Sequence, residues 1–181
     1  MNRLIKNLIV RSVGQFFSLQ LHAALSRRPA SDTVHVVDID NTLAHTWPSL
    51  CDGYCRSEMK RYESLSIFRG MRDHILAQAA AGHSIIFVSA RSYDCYFLTR
   101  RWLRDCGVPF DQLILVYHVK EKLDFINLLL KKGKKVVYID DLSYNHEAGE
   151  TKFYEDTIRR VKQLPIRYIG AAEIEQINYP S

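Results

Sequence analysis

The spacing of apolar residues changes several times along this chain, and the changes mark out its elements. Val34, Val36, Val37 and Ile39 form a dense branched run suited to an extended, packed strand. Similar runs return in "SIIFVSARS", "QLILVYH", "KKVVYIDD" and "IRYIG". Between them the period lengthens to that of a helix. "IFRGMRDHILAQAAAGHS" predicts a turn at Gly70, a helix from Met71 to Ala81 and a stop at Gly82. "YDCYFLTRRWLRDCGVPF" predicts a second helix closed by Gly107 and Pro109, and "KEKLDFINLLLKKG" a third stopped by Gly133. Strands alternating with helices predict an α/β fold, with right-handed crossovers and helices on both faces of a parallel sheet.

Ahead of the first strand, Ile5, Leu8, Ile9, Val13, Phe16 and Phe17 segregate from Arg3, Asn7, Arg11, Gln15, Ser18 and His22. That is the pattern of one amphipathic helix. Lys6 and Arg11 interrupt it, and the uncharged remainder is shorter than the roughly 20 residues of a membrane span. It also lacks the clean apolar centre of a signal peptide. Two uses remain open: packing on the protein's own core or a second subunit, which makes a homo-oligomer, or peripheral binding to an anionic membrane. "SRRPASD" reads as a linker. The expected organisation is an N-terminal helix and linker over residues 1–30 and one α/β domain over 31–181.

Composition narrows the classes further. With 181 residues, 47% of them hydrophobic and 25% charged, the chain can bury a substantial core. A formal charge of +5 favours an anionic partner such as phosphate, nucleic acid or an acidic membrane surface. Cys51 and Cys55 have no matching Cys/His pair at zinc-finger spacing, so the four cysteines read as reduced thiols of a cytoplasmic protein.

The chemistry gathers at the strand ends, where ligands bind in parallel α/β sheets. The first strand ends in Asp38 and Asp40, the second in Ser89 and Arg91, and the fourth in Asp140 and Asp141; Lys120 and Lys122 follow the third. Clustered carboxylates repel unless a cation sits among them, and hard oxygen ligands suit Mg²⁺. Lysine, arginine and a hydroxyl suit phosphoryl oxygens. Phosphoryl transfer uses all of these together.

In that order "DIDNTL", "VSAR", the lysine of "VKEK" and "IDD" resemble the four motifs of the haloacid-dehalogenase-like phosphatases, over roughly residues 34 to 149. The resemblance implies a Rossmann-like sheet, Mg²⁺ and an aspartyl-phosphate intermediate. It makes Asp38 the nucleophile and Asp40 the acid and base. Asp38, the Asp40 carbonyl, Asp140 and Asp141 become the metal ligands. Thr42 would order the loop, Ser89 would bind the phosphoryl group, and Lys120 would neutralise charge between nucleophile and phosphate, with Lys122 as its alternate. An aspartate at the position of Asp40 favours a phosphatase over a dehalogenase.

Substrate choice in this superfamily follows inserted caps. About two dozen residues separate Leu43 from the "FRGM" turn, enough for a flap or a short helical pair but not a cap domain. Such an open site admits a bulky or extended substrate: a nucleic-acid end, a lipid-linked phosphate or a phosphoprotein. "VSARSYDCYFLTRRWLRDCGVPFDQLIL…VKEKLDFI…YIDD" is similar to the phosphatase half of phage polynucleotide kinase-phosphatases, which implies a substrate contact for Arg91 and a 3′-phosphate end as substrate. The departure is that no kinase P-loop, G-x-x-x-x-G-K-[ST], occurs. Arg100, Arg101 and Arg104 also fit a solvated helix face. A phosphotransferase and a phosphate-binding interaction protein are the other classes this pattern admits.

Overall fold

A computed structural model describes residues 12–23, 31–51 and 57–180. Arg3, Lys6, Arg11, most of the predicted linker and Cys55 lie outside the described residues. Five strands form one sheet: β1 (Thr33–Val37), β2 (Ser84–Ser89), β3 (Gln112–Leu115), β4 (Lys135–Ile139) and β7 (Arg167–Ile169). Their spatial order is β3-β2-β1-β4-β7, and every pairing is parallel. The central β1 is buried on both sides, as its unbroken branched run requires. Val37 pairs with Phe87 on one neighbour and Ile139 on the other. The register therefore brings Asp38 and Asp140 out level at the same edge, with Ser89 just beyond Phe87.

The crossovers are helical. Residues 12–23 form α1. α2 (Trp47–Cys51) and α3 (Glu58–Glu63) follow β1 and make the short helical pair expected of the flap. Then come α4 (Arg69–Ala80), α5 (Tyr96–Asp105), α6 (Lys122–Lys131), α7 (Glu155–Lys162) and α8 (Ala171–Asn178). A small antiparallel hairpin, β5 (Ser143–Tyr144) with β6 (Lys152–Phe153), follows the last acidic pair. α6 buries Leu123, Phe125, Ile126 and Leu129 against the core, each contributing about 1.5–3 kcal/mol.

Gly70 is not a turn. It lies in the first turn of α4, where a Cβ would fall 2.0 Å from the Ile177 carbonyl oxygen of α8. Met71 N–H donates to Asn178 Oδ1 at 2.9 Å across the same contact, so the two helices meet backbone against backbone. Gly82, at φ 83°, ends the helix as its position suggests.

α1 packs on the core through Phe17 and Leu21, both buried. The Phe17 ring lies 6.5 Å from Tyr93 and 5.8 Å from Tyr96, and Gln112 Nε2 donates to Gln20 Oε1 at 2.6 Å. Phe16 and Leu19 are exposed, because a step of 100° per residue turns Phe16 away from the face that holds Phe17. No described helix is long and apolar enough to cross a membrane. Deeper in the core, His35 on β1 lies 3.1 Å from His83 and 6.4 Å, ring to ring, from His74. Burial, with the charges of His83 and His74, pushes the His35 imidazole down to about 4.

Candidate active site

The chain leaves β1 through a tight turn: Leu43 and Ala44 both donate their N–H to the Ile39 carbonyl, at 2.9 and 2.7 Å, and Asn41 takes φ 58°. This turn sets Asp38 and Asp40 into one cavity of about 270 Å³. Ser89, Arg61, Tyr62, Lys122, Asp140, Asp141 and His146 also line it.

Asp38 is buried and sits 2.7 Å from Lys122 Nζ, which donates to Asp140 Oδ2 at 2.7 Å as well. The lysine is the first residue of α6 and is itself buried, held between the two carboxylates. Burial alone would lower it, but Asp140 and Asp38 outweigh that and keep it charged. Lys120, two residues earlier, is exposed on the 3-10 turn Val119–Glu121 and lines a neighbouring groove instead. The lysine that meets the acids is thus Lys122. The signal was in the sequence: Lys122 stands one helical turn before Phe125 and Ile126 on the inward face of α6.

Asp40 is held differently. Arg91 donates to it twice, Nε to Oδ2 and Nη2 to Oδ1, both at 2.8 Å. Thr46 donates to Oδ1 at 2.7 Å and Ser89 to Oδ2 at 3.3 Å. Burial pulls Asp40 upward, but the Arg91 charge and hydrogen bonds outweigh it and hold the carboxyl below its ordinary range. Arg91 is buried behind Asp40, with Nη1 donating to Thr99 at 3.2 Å and its Cζ 4.0 Å from the Tyr62 ring centre. It does not line the cavity, and its donors point to Asp40 and Thr99, so in this structure it orients Asp40. Thr42 is likewise buried, donating to Asp141 Oδ1 at 3.0 Å and accepting from Asp141 N–H at 3.2 Å. It braces an acid and lies outside the cavity lining, whereas a substrate-binding role is expected from the sequence.

Asp140 accepts from Tyr138 Oη and, through Oδ1, from Leu142 N–H at 2.8 Å. Leu142 takes φ 47°, a strained value for a branched residue, so the turn after the acids is shaped by them. Asp141 accepts from Ser143 Oγ, which lies 2.6 Å from His146 Nε2. Leu142, Ser143 and His146 fall in the stretch after "DD", where spacing alone gives no hint.

Asp38, Asp140 and Asp141 each offer an oxygen within 4.8 Å of the others, and all three are buried. Burial and the neighbouring acids raise Asp38 well above its ordinary range despite Lys122. Burial, then the Asp140 charge, lifts Asp141 to about 7 although Ser143 and Thr42 pull it down. Asp38 Oδ1 also accepts no hydrogen bond of ordinary geometry. Three carboxylates facing one lysine leave negative charge uncompensated, and the all-oxygen donor set fits a hard divalent cation.

The fold has a counterpart among solved structures. The class C acid phosphatase from Bacillus anthracis, solved with tungstate bound, superposes with a TM-score of 0.55 and 19% identity over 98% of this chain and 90% of that one. The fold is haloacid-dehalogenase-like. A chain of the Pnkp1/Rnl/Hen1 complex is also similar, at a TM-score of 0.48 and 18% identity over 79% of this chain and 47% of that one. No protein-family model matches the chain, and no curated protein does. Within that fold, the acids of this chain stand where the parallel strands end, and residues of α2, α3 and β5 line the cavity beside them.

Proposed function

We propose that the protein is a Mg²⁺-dependent phosphomonoester hydrolase that works through an aspartyl-phosphate on Asp38. The observation that carries this reading is the convergence of Asp38, Lys122, Asp140 and Asp141 at one end of a cavity whose wall holds Asp40 and Ser89. Asp38, Asp140 and Asp141, with the Asp40 carbonyl, would hold the metal, which when bound neutralises these acids and the phosphoryl oxygens.

In the first step an Asp38 oxygen attacks phosphorus and the bond to the leaving oxygen breaks. Asp40 gives that oxygen a proton. In the second, water attacks phosphorus and passes its proton to Asp40, and the bond to Asp38 breaks to release inorganic phosphate. The pairing with Arg91 keeps Asp40 ionised before substrate arrives. An incoming phosphate dianion raises a neighbouring carboxyl, so Asp40 takes a proton from solvent as substrate binds and passes it to the leaving oxygen in the first step. Ser89 steadies the phosphoryl group, and Lys122 offsets the charge of the nucleophile.

The substrate is an extended one, for which a nucleic-acid 3′-phosphate end is the best fit. A groove of about 800 Å³ adjoins the cavity, sharing Ala90, Val119, Tyr144 and Tyr154 with it. Tyr117, Tyr144, Phe153 and Tyr154 expose their rings there, beside Lys120. Flat rings and a cation suit stacked bases and their phosphates.

The test is turnover of p-nitrophenyl phosphate with Mg²⁺ and after EDTA, beside 3′- and 5′-phosphorylated oligonucleotides, sugar phosphates, nucleotides and lipid phosphates. Metal-dependent turnover that Asp38→Asn abolishes supports the hydrolase. Undiminished activity in EDTA sinks it, and equal rates on every substrate sink the nucleic-acid assignment.

A further inference from the structure

A phosphoryl site needs donors that are not already engaged, and among the described residues a count of the cations around the cavity singles one out. Lys122 is held by Asp38 and Asp140. Arg91 is held by Asp40 and Thr99 and lies outside the cavity wall. Lys120 faces the adjoining groove. Arg61, on α3 of the flap, lines the cavity itself. Its Nε is buried without a hydrogen-bond partner. Its charged partner is Glu58, with Arg61 Nη2 at 3.8 Å from Oε1, too long for a hydrogen bond.

Arg61 is also held in place. The next residue, Tyr62, is buried, donates to Glu58 at 2.6 Å and carries both guanidiniums against its ring, Arg91 at 4.0 Å and Arg61 at 5.2 Å. α3 further packs on α5, where Trp102 Nε1 donates to the Leu65 carbonyl at 3.1 Å. The flap therefore has a fixed seat on the core, through the same ring that backs the Asp40–Arg91 pair. A guanidinium with a buried, unused donor is an expensive arrangement unless an acceptor arrives. In this cavity, the acceptor that matches a planar fork of donors is a phosphoryl group.

We infer that Arg61 is a substrate-binding residue, the flap's own contact to the non-bridging oxygens of the substrate phosphate. The inference rests on the hydrolase reading of this cavity, and it assigns the flap a role in holding phosphate as well as covering the site.

The experiment measures two things on the full chain: binding of inorganic phosphate by calorimetry, with Mg²⁺ and without, and turnover of p-nitrophenyl phosphate. Wild type is compared with Arg61→Ala, Arg61→Lys and, as an exposed control, Arg100→Ala. Arg61→Ala should bind phosphate roughly 10- to 100-fold more weakly. It should raise KM more than it lowers kcat and leave thermal unfolding unchanged. Arg61→Lys should recover part of the loss, and Arg100→Ala should behave as wild type. Phosphate affinity unchanged in Arg61→Ala overturns the inference whether or not the protein turns over substrate. So does an absence of phosphate binding by wild type up to about 10 mM. An Arg61-dependent affinity in a protein with no turnover upholds the inference and fails the hydrolase reading alone.

Discussion

Arg91 holds Asp40 in a two-point grip, Nε on one oxygen and Nη2 on the other, each at 2.8 Å. Lysine cannot reproduce that fork. Arg91→Lys should keep the charge but lose the orientation, lowering kcat at least tenfold with little change in stability. Arg91→Ala should also destabilise the fold by about 1–3 kcal/mol, because it strands a half-buried carboxylate. With the cation gone, Asp40 titrates higher. The limb of the pH–rate profile that reports Asp40 should move toward neutral pH. Urea unfolding and a pH series on both variants check the two halves of this expectation.

Lys122 and Lys120 separate cleanly as a pair of substitutions. Lys122→Met leaves Asp38 and Asp140 facing each other without their shared cation. It should abolish turnover and cost about 3–5 kcal/mol in metal-free buffer. Lys120→Met should unfold as wild type does and act normally on p-nitrophenyl phosphate. If the groove holds nucleic acid, the same variant should weaken binding of an oligonucleotide more at low salt than at high salt. Wild-type turnover in Lys122→Met would remove that lysine from the mechanism.

Binding of a divalent cation to the three acids should appear as stability before it appears as rate. Adding Mg²⁺ at about 100 times its dissociation constant should stabilise wild type by about 2.7 kcal/mol, read as a rise in Tm. Asp141→Asn and Asp140→Asn should lose most of that rise. Asp38→Asn should lose turnover by several orders of magnitude yet remain folded, since it removes one of the mutually repelling carboxylates. A Tm insensitive to Mg²⁺, Mn²⁺ and Ca²⁺ alike would mean that the acids hold no metal.

The buried His35 makes stability depend on pH in a defined window. Its folded value, about 4, lies below the ordinary 6.5, so the unfolded chain binds the proton first. The contribution is complete above pH 6.5 and is lost as pH falls from 6.5 toward 4. The full loss is about 2 kcal/mol, allowing for the part-exposed His74 and His83 beside it. His35→Gln should flatten that part of a stability–pH curve measured by urea unfolding. A curve equally steep in the variant would place the effect elsewhere.

Much of this arrangement was legible in the sequence because it depends on period. The runs around Val36, Phe87, Ile114, Val137 and Tyr168 are strands because branched and aromatic residues pack on a pleated, doubly covered sheet. The acids that follow β1 and β4 come level because the sheet is parallel and in register. What the sequence hid depends on direction in space. Arg91 reads as a substrate contact until its side chain is seen turned back onto Asp40. Lys120 and Lys122 differ by two residues, which is half a helical turn and opposite exposures. Arg61 carries no motif at all, and only its place on the cavity wall marks it. Gly70 reads as a turn residue from its identity, but α8, which lies a hundred residues away in the chain, explains it.

That contact between Gly70 and Ile177 has a practical use. It lies outside the lining of the active-site cavity, and it admits no side chain, since a single methyl group would meet a backbone carbonyl. Gly70→Ala should therefore lower the melting temperature with the chemistry of the site left intact. Such a variant is a thermal switch: working at low temperature, failing when warmed, with substrate recognition unaltered in between. Inside a living cell, that would separate what the protein does as a catalyst from what its mere presence does.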